Sequence, residues 1–342
     1  MRGHGGRGSP FALLVAMAVA LLSACGGGPS PADHAAAERY LDRALALLAQ
    51  NSMDINQTSW PHVVSQAKTQ ARHAQSPADT YAAIRFAIAS LGDPHTQFLT
   101  PTEASAFNGT TAPHYDGPSG RMLPGHLAYL QVGSFEGDEA AIAAYVRTGV
   151  ASVERLNANA PCGWVVDLRG NDGGNVWPML TTVAPLLVGN PVGYFVNTAG
   201  QRLAWDVRAG RLYVAGAATL PQANPTRLRQ PHPPVALLTD YNTASAGEAV
   251  AVAFRGQPDS RSFGTSTAGF ATGNRVISLS DGAILLITGV YDADRTGHIY
   301  RTGDRLQPDV YARPAAQRPG QPPQPAPPTQ ALEWLRQSAP CR

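Results

Sequence analysis

The sequence predicts an α/β protein in which a core of mostly parallel strands follows a helical N-terminal subdomain. Three observations carry that prediction. Apolar residues recur at helical spacing from Ala35 to Leu91, and after Gly125 runs of strand length alternate with helical ones. The chain has 342 residues, 44% hydrophobic and 15% charged, enough to bury one large core or two modest ones. Alternating strand and helix is the pattern of a parallel sheet, because each parallel crossover needs an intervening element.

Taken in order, the chain opens with Arg2 and Arg7 ahead of the apolar run "FALLVAMAVALL", Phe11 to Leu22. That run is short for a permanent membrane helix and has the order of an export signal. The "LSAC" that closes it resembles the bacterial lipobox, with Cys25 as the lipidated first residue of the mature chain. A simple signal with a chance cysteine is the alternative. Residues 1–24 are then a lipoprotein signal peptide and 25–33 a linker, and Gly26 suits an outer-membrane lipoprotein on the periplasmic face of the cell envelope.

The stretches "AERYLDRALALLAQ", "WPHVVSQAKTQARHA" and "ADTYAAIRFAIASL" give three helices within a subdomain of residues 34–98. Residues 99–126 are polar and rich in Gly and Pro, an irregular connector. The core is expected over 127–312. Its strands are "HLAYLQV", "GWVVDLRG" and "VGYFVN", with helices "DEAAIAAYVRTGVASVERL" and "VWPMLTTVAPLL" between them. An inserted hairpin, "QRLAWDVRAGRLYVAGA", leads to strand "PVALLTD", helix "AGEAVAVAF" and strands "RSFGTS", "NRVISLS" and "AILLITGVY". Pro/Gln-rich residues 313–329 form an extended linker, and 330–342 a docking helix and tail.

Export would place Cys162 and Cys341 in an oxidising compartment, where they pair or remain two separate thiols. The formal charge of +2 comes from scattered Arg without a basic block, so no nucleic-acid partner is indicated. Neither a metal nor an organic cofactor is implied, since no His/Cys/Asp cluster has ligand spacing.

Three stretches interrupt the regular pattern where chemistry could sit. In "WVVDLRGNDGGN" a buried strand ends in a Gly-rich turn that can aim backbone amides at an anion or a developing oxyanion; the spacing does not match a P-loop. "LGDPHTQF" places His95 just after the helical subdomain. "NTASAGEAV" follows a buried strand, and its Ser245-x-x-Glu248 is a capping-box signature. A strand, a sharp turn and a Ser at a helix N-terminus also follow the logic of a nucleophile elbow, although G-x-S-x-G is absent.

Together with "SFGTSTAG", "SLSDGAILLIT" and "DRTGHIYRTGDRLQPDV", these stretches resemble, in order, the C-terminal processing (tail-specific) family of serine peptidases. The resemblance is to the branch of the tricorn protease core and interphotoreceptor retinoid-binding protein. It implies a ClpP/crotonase-like core and a hydrolase that cleaves peptide bonds through an acyl-enzyme. Ser245 would be the nucleophile, the amides of Ala246 and of Gly173 or Gly174 the oxyanion hole, and Glu248 a support.

Two departures from the family pattern matter. The stretch from Phe98 to Leu127 is too short for the inserted PDZ domain of some members. Phe270 stands where Ser-Lys members carry Lys, and the chain's single lysine, Lys68, lies in the helical subdomain. The tricorn-like branch pairs Ser with His, so the resemblance makes His95, at the matching "DPHT" position, the expected general base, with activity rising through the ordinary histidine range of about 6.5. No Glu stands before "PD" near the end of the core, and Asp304 is the nearest substitute. The expected partners are a peptide or protein substrate and, through Cys25, the membrane. Two rival readings stay open: a catalytically weak protein binding peptides or apolar ligands on the same fold, and an esterase using the same Ser-His pair.

Overall fold

The computed structural model describes residues 30–107, 117–313 and 326–342. Cys25 and the export segment lie outside the described residues, as does most of the linker expected over 313–329. No described helix is long and apolar enough to cross a membrane.

Three helices open the described chain: α1 (Pro31–Asn51), α2 (Trp60–Gln70) and α3 (Tyr81–Ala89). Ser30 caps α1 by accepting the Asp33 N–H, and the helix buries Leu41, Ala44, Leu45 and Leu48 on one stripe. There follow β1 (Gln97–Leu99), α4 (Pro101–Phe107), β2 (Ser119–Leu123), β3 (Leu127–Gln131), α5 (Glu139–Asn157), β4 (Gly163–Asp167), α6 (Val176–Val183) and β5 (Gly193–Asn197). Next come β6 (Arg202–Arg208), β7 (Arg211–Val214), β8 (Ala217–Ala218), β9 (Val235–Thr239), α7 (Ala246–Phe254), β10 (Ser260–Gly264) and β11 (Thr272–Ser278). The chain closes with β12 (Ile284–Asp294), β13 (Ile299–Tyr300), β14 (Val310–Tyr311) and α8 (Thr329–Gln337).

The strands form two sheets. One runs β14-β10-β9-β4-β3-β2 and is parallel except where β2 meets β3. Its middle strands, "GWVVD" and "VALLT", are buried along their whole length, as parallel strands covered on both faces must be. The other sheet runs β1-β12-β5-β6-β7-β8, with β11 and β13 also on β12, and is antiparallel throughout. Its hairpins follow from tight turns. Ala209 and Gly210, with φ of 49° and 74°, make the two-residue turn between Arg208 and Arg211 that matches strand twist. The main core, including Trp164, Val166, Met179, Leu180, Trp205, Val250 and Phe254, is one continuous cluster.

One expectation needs correction. Residues 99–126 are not irregular throughout, because α4 and β2 lie within them and β2 pairs with β3. The helical segment packs on the core. Its helices share an apolar cluster with Leu279, Leu285 and Ile287, and β1 pairs with β12. The hydroxyls of Tyr40 and Tyr81 both donate to Asp281, at 2.8 and 2.5 Å, pinning α1 and α3 to the turn before β12.

On the outer face of the parallel sheet, α8 buries Ala331 and Leu335 against Leu127, Val165 and Phe263. A disulfide joins Cys162 to Cys341, with Cα atoms 5.0 Å apart. In a form lacking Cys25, alkylation without reductant is expected to leave both sulfurs unmodified, and reduction to lower stability by about 2–5 kcal/mol. Two alkylatable thiols in the native protein would show that the pair is open.

Candidate active site

The site forms where adjacent parallel strands β4 and β9 end, the edge at which open α/β sheets bind ligands. The loop after β4 carries Asn171-Asp172-Gly173-Gly174, and the loop after β9 carries Ser245 at the N-cap of α7. Short hydrogen bonds stitch the two loops together. Thr243 Oγ1 donates to Leu168 O at 2.9 Å, the Gly170 N–H to Asp240 Oδ1 at 3.0 Å, and the Ala244 N–H to Asn171 O at 2.9 Å.

Ser245 adopts φ 48° and ψ −116°, a conformation that a residue with a Cβ rarely takes. Strain of this kind costs about 1–3 kcal/mol and persists only where surrounding contacts enforce it. Here the capping box enforces it, for the Ser245 N–H donates to Glu248 Oε2 at 3.2 Å. Crowding adds to this. A Cβ on Gly173, whose φ is 117°, would stand 2.8 Å from Ser245 Cβ and 3.3 Å from the Ala246 nitrogen, and a Cβ on Gly247 would stand 2.6 Å from Asn171 O. Only glycine lets the two loops approach this closely.

The expected oxyanion donors come from Ala246, next to Ser245 in sequence, and from the glycine pair, of which Gly173 packs against Ser245. The Gly173 N–H is committed to Asn171 Oδ1 at 3.0 Å, whereas the Gly174 and Ala246 N–H groups donate to no group among the described residues. Of the two glycines, Gly174 is thus the one with a free donor. Asn171, fully buried, is the hub of this arrangement. Its Nδ2 donates to Val132 O at 2.9 Å, its Oδ1 accepts from Gly173, and its carbonyl accepts from Ala244.

Glu248 is buried and collects four donors: the N–H groups of Ser245, Gly269 (2.9 Å) and Phe270 (2.6 Å), and the Thr267 hydroxyl. Burial pushes its carboxyl above the ordinary glutamate range, and the four hydrogen bonds offset that push only in part. Its role therefore exceeds that of a helix cap, because it ties the Ser245 turn to the loop of residues 267–272.

That loop also holds His95. The ring of Phe270 stacks on the imidazole with centroids 5.2 Å apart, and Thr272 Oγ1 lies 2.6 Å from His95 Nδ1. The backbone of His95 is held on both sides: its N–H donates to Asp93 Oδ1 at 2.9 Å and its carbonyl accepts from Asn274 Nδ2 at 2.9 Å. Burial pushes the imidazole below the ordinary histidine value, against the opposing charge of Asp93. The midpoint of the acid limb of kcat/KM is accordingly expected below about 6.5, the value of an unperturbed histidine. A midpoint above that value would remove His95 as the titrating base.

The structure thus brings Ser245, Ala246, Gly173, Gly174 and Glu248 together and links His95 to them through Phe270 and Glu248. No hydrogen bond joins Ser245 Oγ to the His95 ring. Asp304 lies elsewhere: exposed, it accepts the Arg301 N–H at 2.8 Å and closes its own turn, so it does not orient His95. Lys68 pairs with Asp42 at 2.7 Å on the surface of α2. Sequence reasoning missed Asn171, Asp93 and Thr272. Asn171 and Asp93 stand inside stretches singled out for their Gly and His, but Thr272, 177 residues from His95, has no local signal.

Comparison with known proteins gives a consistent result. The sequence model of peptidase family S41 matches residues 126–312. The nisin-resistance protein of Lactococcus lactis subsp. lactis is 26% identical over 308 residues, covering 90% of this chain and 88% of that protein. Among solved structures, a lipoprotein from Streptococcus agalactiae superposes with a TM-score of 0.69 at 23% identity, covering 81% of this chain and 92% of that one. The photosystem II D1 C-terminal processing protease superposes with a TM-score of 0.58 at 18% identity, covering 81% and 93%. At these identities the superpositions speak to the fold.

Proposed function

The chain belongs to peptidase family S41, and from that premise we propose that it is an exported serine peptidase in which Ser245 attacks the substrate carbonyl and His95 takes its proton. The family supports peptide-bond hydrolysis; the roles of individual residues are our inference. One observation carries it: Ser245 is held in a strained conformation of positive φ at a strand-to-helix turn packed against the glycine loop, and the N–H groups of Ala246 and Gly174 are unused among the described residues. A plain helix cap has no use for that strain.

In the mechanism, His95 Nδ1–H donates to Thr272 Oγ1, which leaves the Nε2 lone pair as base. Depression of its pKa by burial keeps the imidazole neutral and competent at neutral pH. Proton transfer from Ser245 accompanies attack, and the Gly174 and Ala246 amides receive the oxyanion. Return of the proton to the leaving amine gives the acyl-enzyme, which water hydrolyses. Closure of Ser245 on His95 accompanies substrate binding, since apo hydrogen bonds of this kind are often long.

Export, and a lipid anchor at Cys25, are supported by the signal-like N-terminus and by the Cys162–Cys341 pair. The name of the lactococcal relative makes nisin the first substrate to offer. A fluorophosphonate probe tests the proposal: a single adduct mapped to Ser245 is expected. Failure to label would favour the ligand-binding reading of the fold, and turnover of acyl esters without peptides the esterase reading.

A further inference from the structure

The strand that packs against α7, β12, carries a second buried carboxyl group that the proposed mechanism does not use. Asp292, near the end of β12, is 1% exposed, and neither of its carboxyl oxygens has a hydrogen-bond partner. Its backbone N–H donates to Ala271 O at 3.1 Å. It is therefore anchored to the 267–272 loop, which supplies two amides to Glu248, stacks Phe270 on His95 and offers Thr272 to the imidazole.

Among the described residues, the elements around Asp292 bring it no cation. Tyr300, opposite on β13, gives its hydroxyl to Asp294 at 2.9 Å, and Phe195, opposite on β5, is apolar. Arg295 is turned toward the carbonyls of Val188 and Ala253 and the side chain of Gln257. From α7, the charge that acts on Asp292 is that of Glu248.

Two carboxylates in one dry space are costly, because each loses its hydration and repels the other. Their partners decide which of them keeps a proton. Glu248 has four donors and is stabilised as the anion; Asp292 has none. We propose that Asp292 is a neutral carboxylic acid in the folded protein, a positioning residue whose retained proton lets Glu248 stay ionised and hold the Ser245 turn and the His95 loop in register. Burial and the Glu248 charge both push Asp292 well above the ordinary carboxylate range, in agreement with that assignment.

Thermal unfolding across pH tests this without reference to activity. An unfolded aspartate ionises near about 3.9. If the folded one does not, the native state binds more protons and stability drains away as pH rises above that value toward the folded pKa. Asparagine cannot ionise. The unfolding midpoint of Asp292→Asn, relative to wild type, is thus expected to climb by several degrees between about pH 4 and pH 8. A gap that stays flat or shrinks would mean a charged Asp292 and overturn the proposal.

Infrared spectroscopy gives a second readout. A carboxylic-acid C=O stretch at neutral pH should be present in wild type and absent from Asp292→Asn, or from the strand-compatible Asp292→Thr if the first variant does not fold. No such band assignable to Asp292 would likewise overturn it. On a peptide substrate, Asp292→Asn should hold its activity at alkaline pH where wild type falls, and a parallel fall in both would count against the role. Only this kinetic arm rests on the Ser245–His95 reading, so failure of that reading is told apart by the thermal and infrared arms.

Discussion

Ser245→Ala is expected to lower kcat/KM on a peptide substrate by roughly 10⁴- to 10⁶-fold and to abolish fluorophosphonate labelling. The backbone at Ser245 has φ 48°, so Ala inherits the strain and loses only the hydroxyl. The cost in stability should be no more than about 1 kcal/mol, the usual effect of removing a cap. Ser245→Gly should be equally inactive yet more stable than the Ala variant by roughly 1 kcal/mol, because glycine takes the left-handed conformation without strain. Chemical denaturation of the two variants checks the second claim and steady-state kinetics the first. Unchanged turnover in Ser245→Ala would sink the nucleophile assignment.

Replacing His95 by Ala or Gln should cost roughly 10³-fold or more in kcat/KM, the effect of losing a general base. Gln can keep a hydrogen bond to Thr272 Oγ1 while having no basic nitrogen, so it separates loss of the base from loss of local packing. Lys68→Ala is the control. Its ion pair with Asp42 is on the surface, and activity should stay near wild type. Wild-type kinetics in both His95 variants would point to another base and remove the tricorn-like reading. His298, packed edge-on against Tyr300 with centroids 4.6 Å apart, would be examined next.

Much of the fold was legible because local pattern and tertiary environment agree. The stretch "AGEAVAVAF" is α7 residue for residue, and "VALLT" and "GWVVD" are the buried middle strands of the parallel sheet. Their apolar runs encode burial on both faces, whatever they pack against. The short strands β1, β2, β13 and β14 escaped notice because two to five residues are too few to show a period. They exist because a partner strand is already in place.

The candidate site divides along the same line. Ser245, Glu248, the paired glycines and His95 could be picked out because each sits in a short stretch whose residue types carry their own chemistry: a cap, a turn, an imidazole. What the sequence by itself determined is therefore the longer elements and the candidates for the reacting groups. Only the tertiary structure decided which of two glycines keeps a free N–H, that Asp304 is spent on its own turn, and that Thr272 holds the imidazole. It alone showed the Asp292 side chain buried without a partner, its backbone bonded to the loop that holds Glu248. The reason is physical: hydrogen-bond commitment and desolvation depend on atoms brought together from distant parts of the chain, and no window along the sequence contains both members of such a pair.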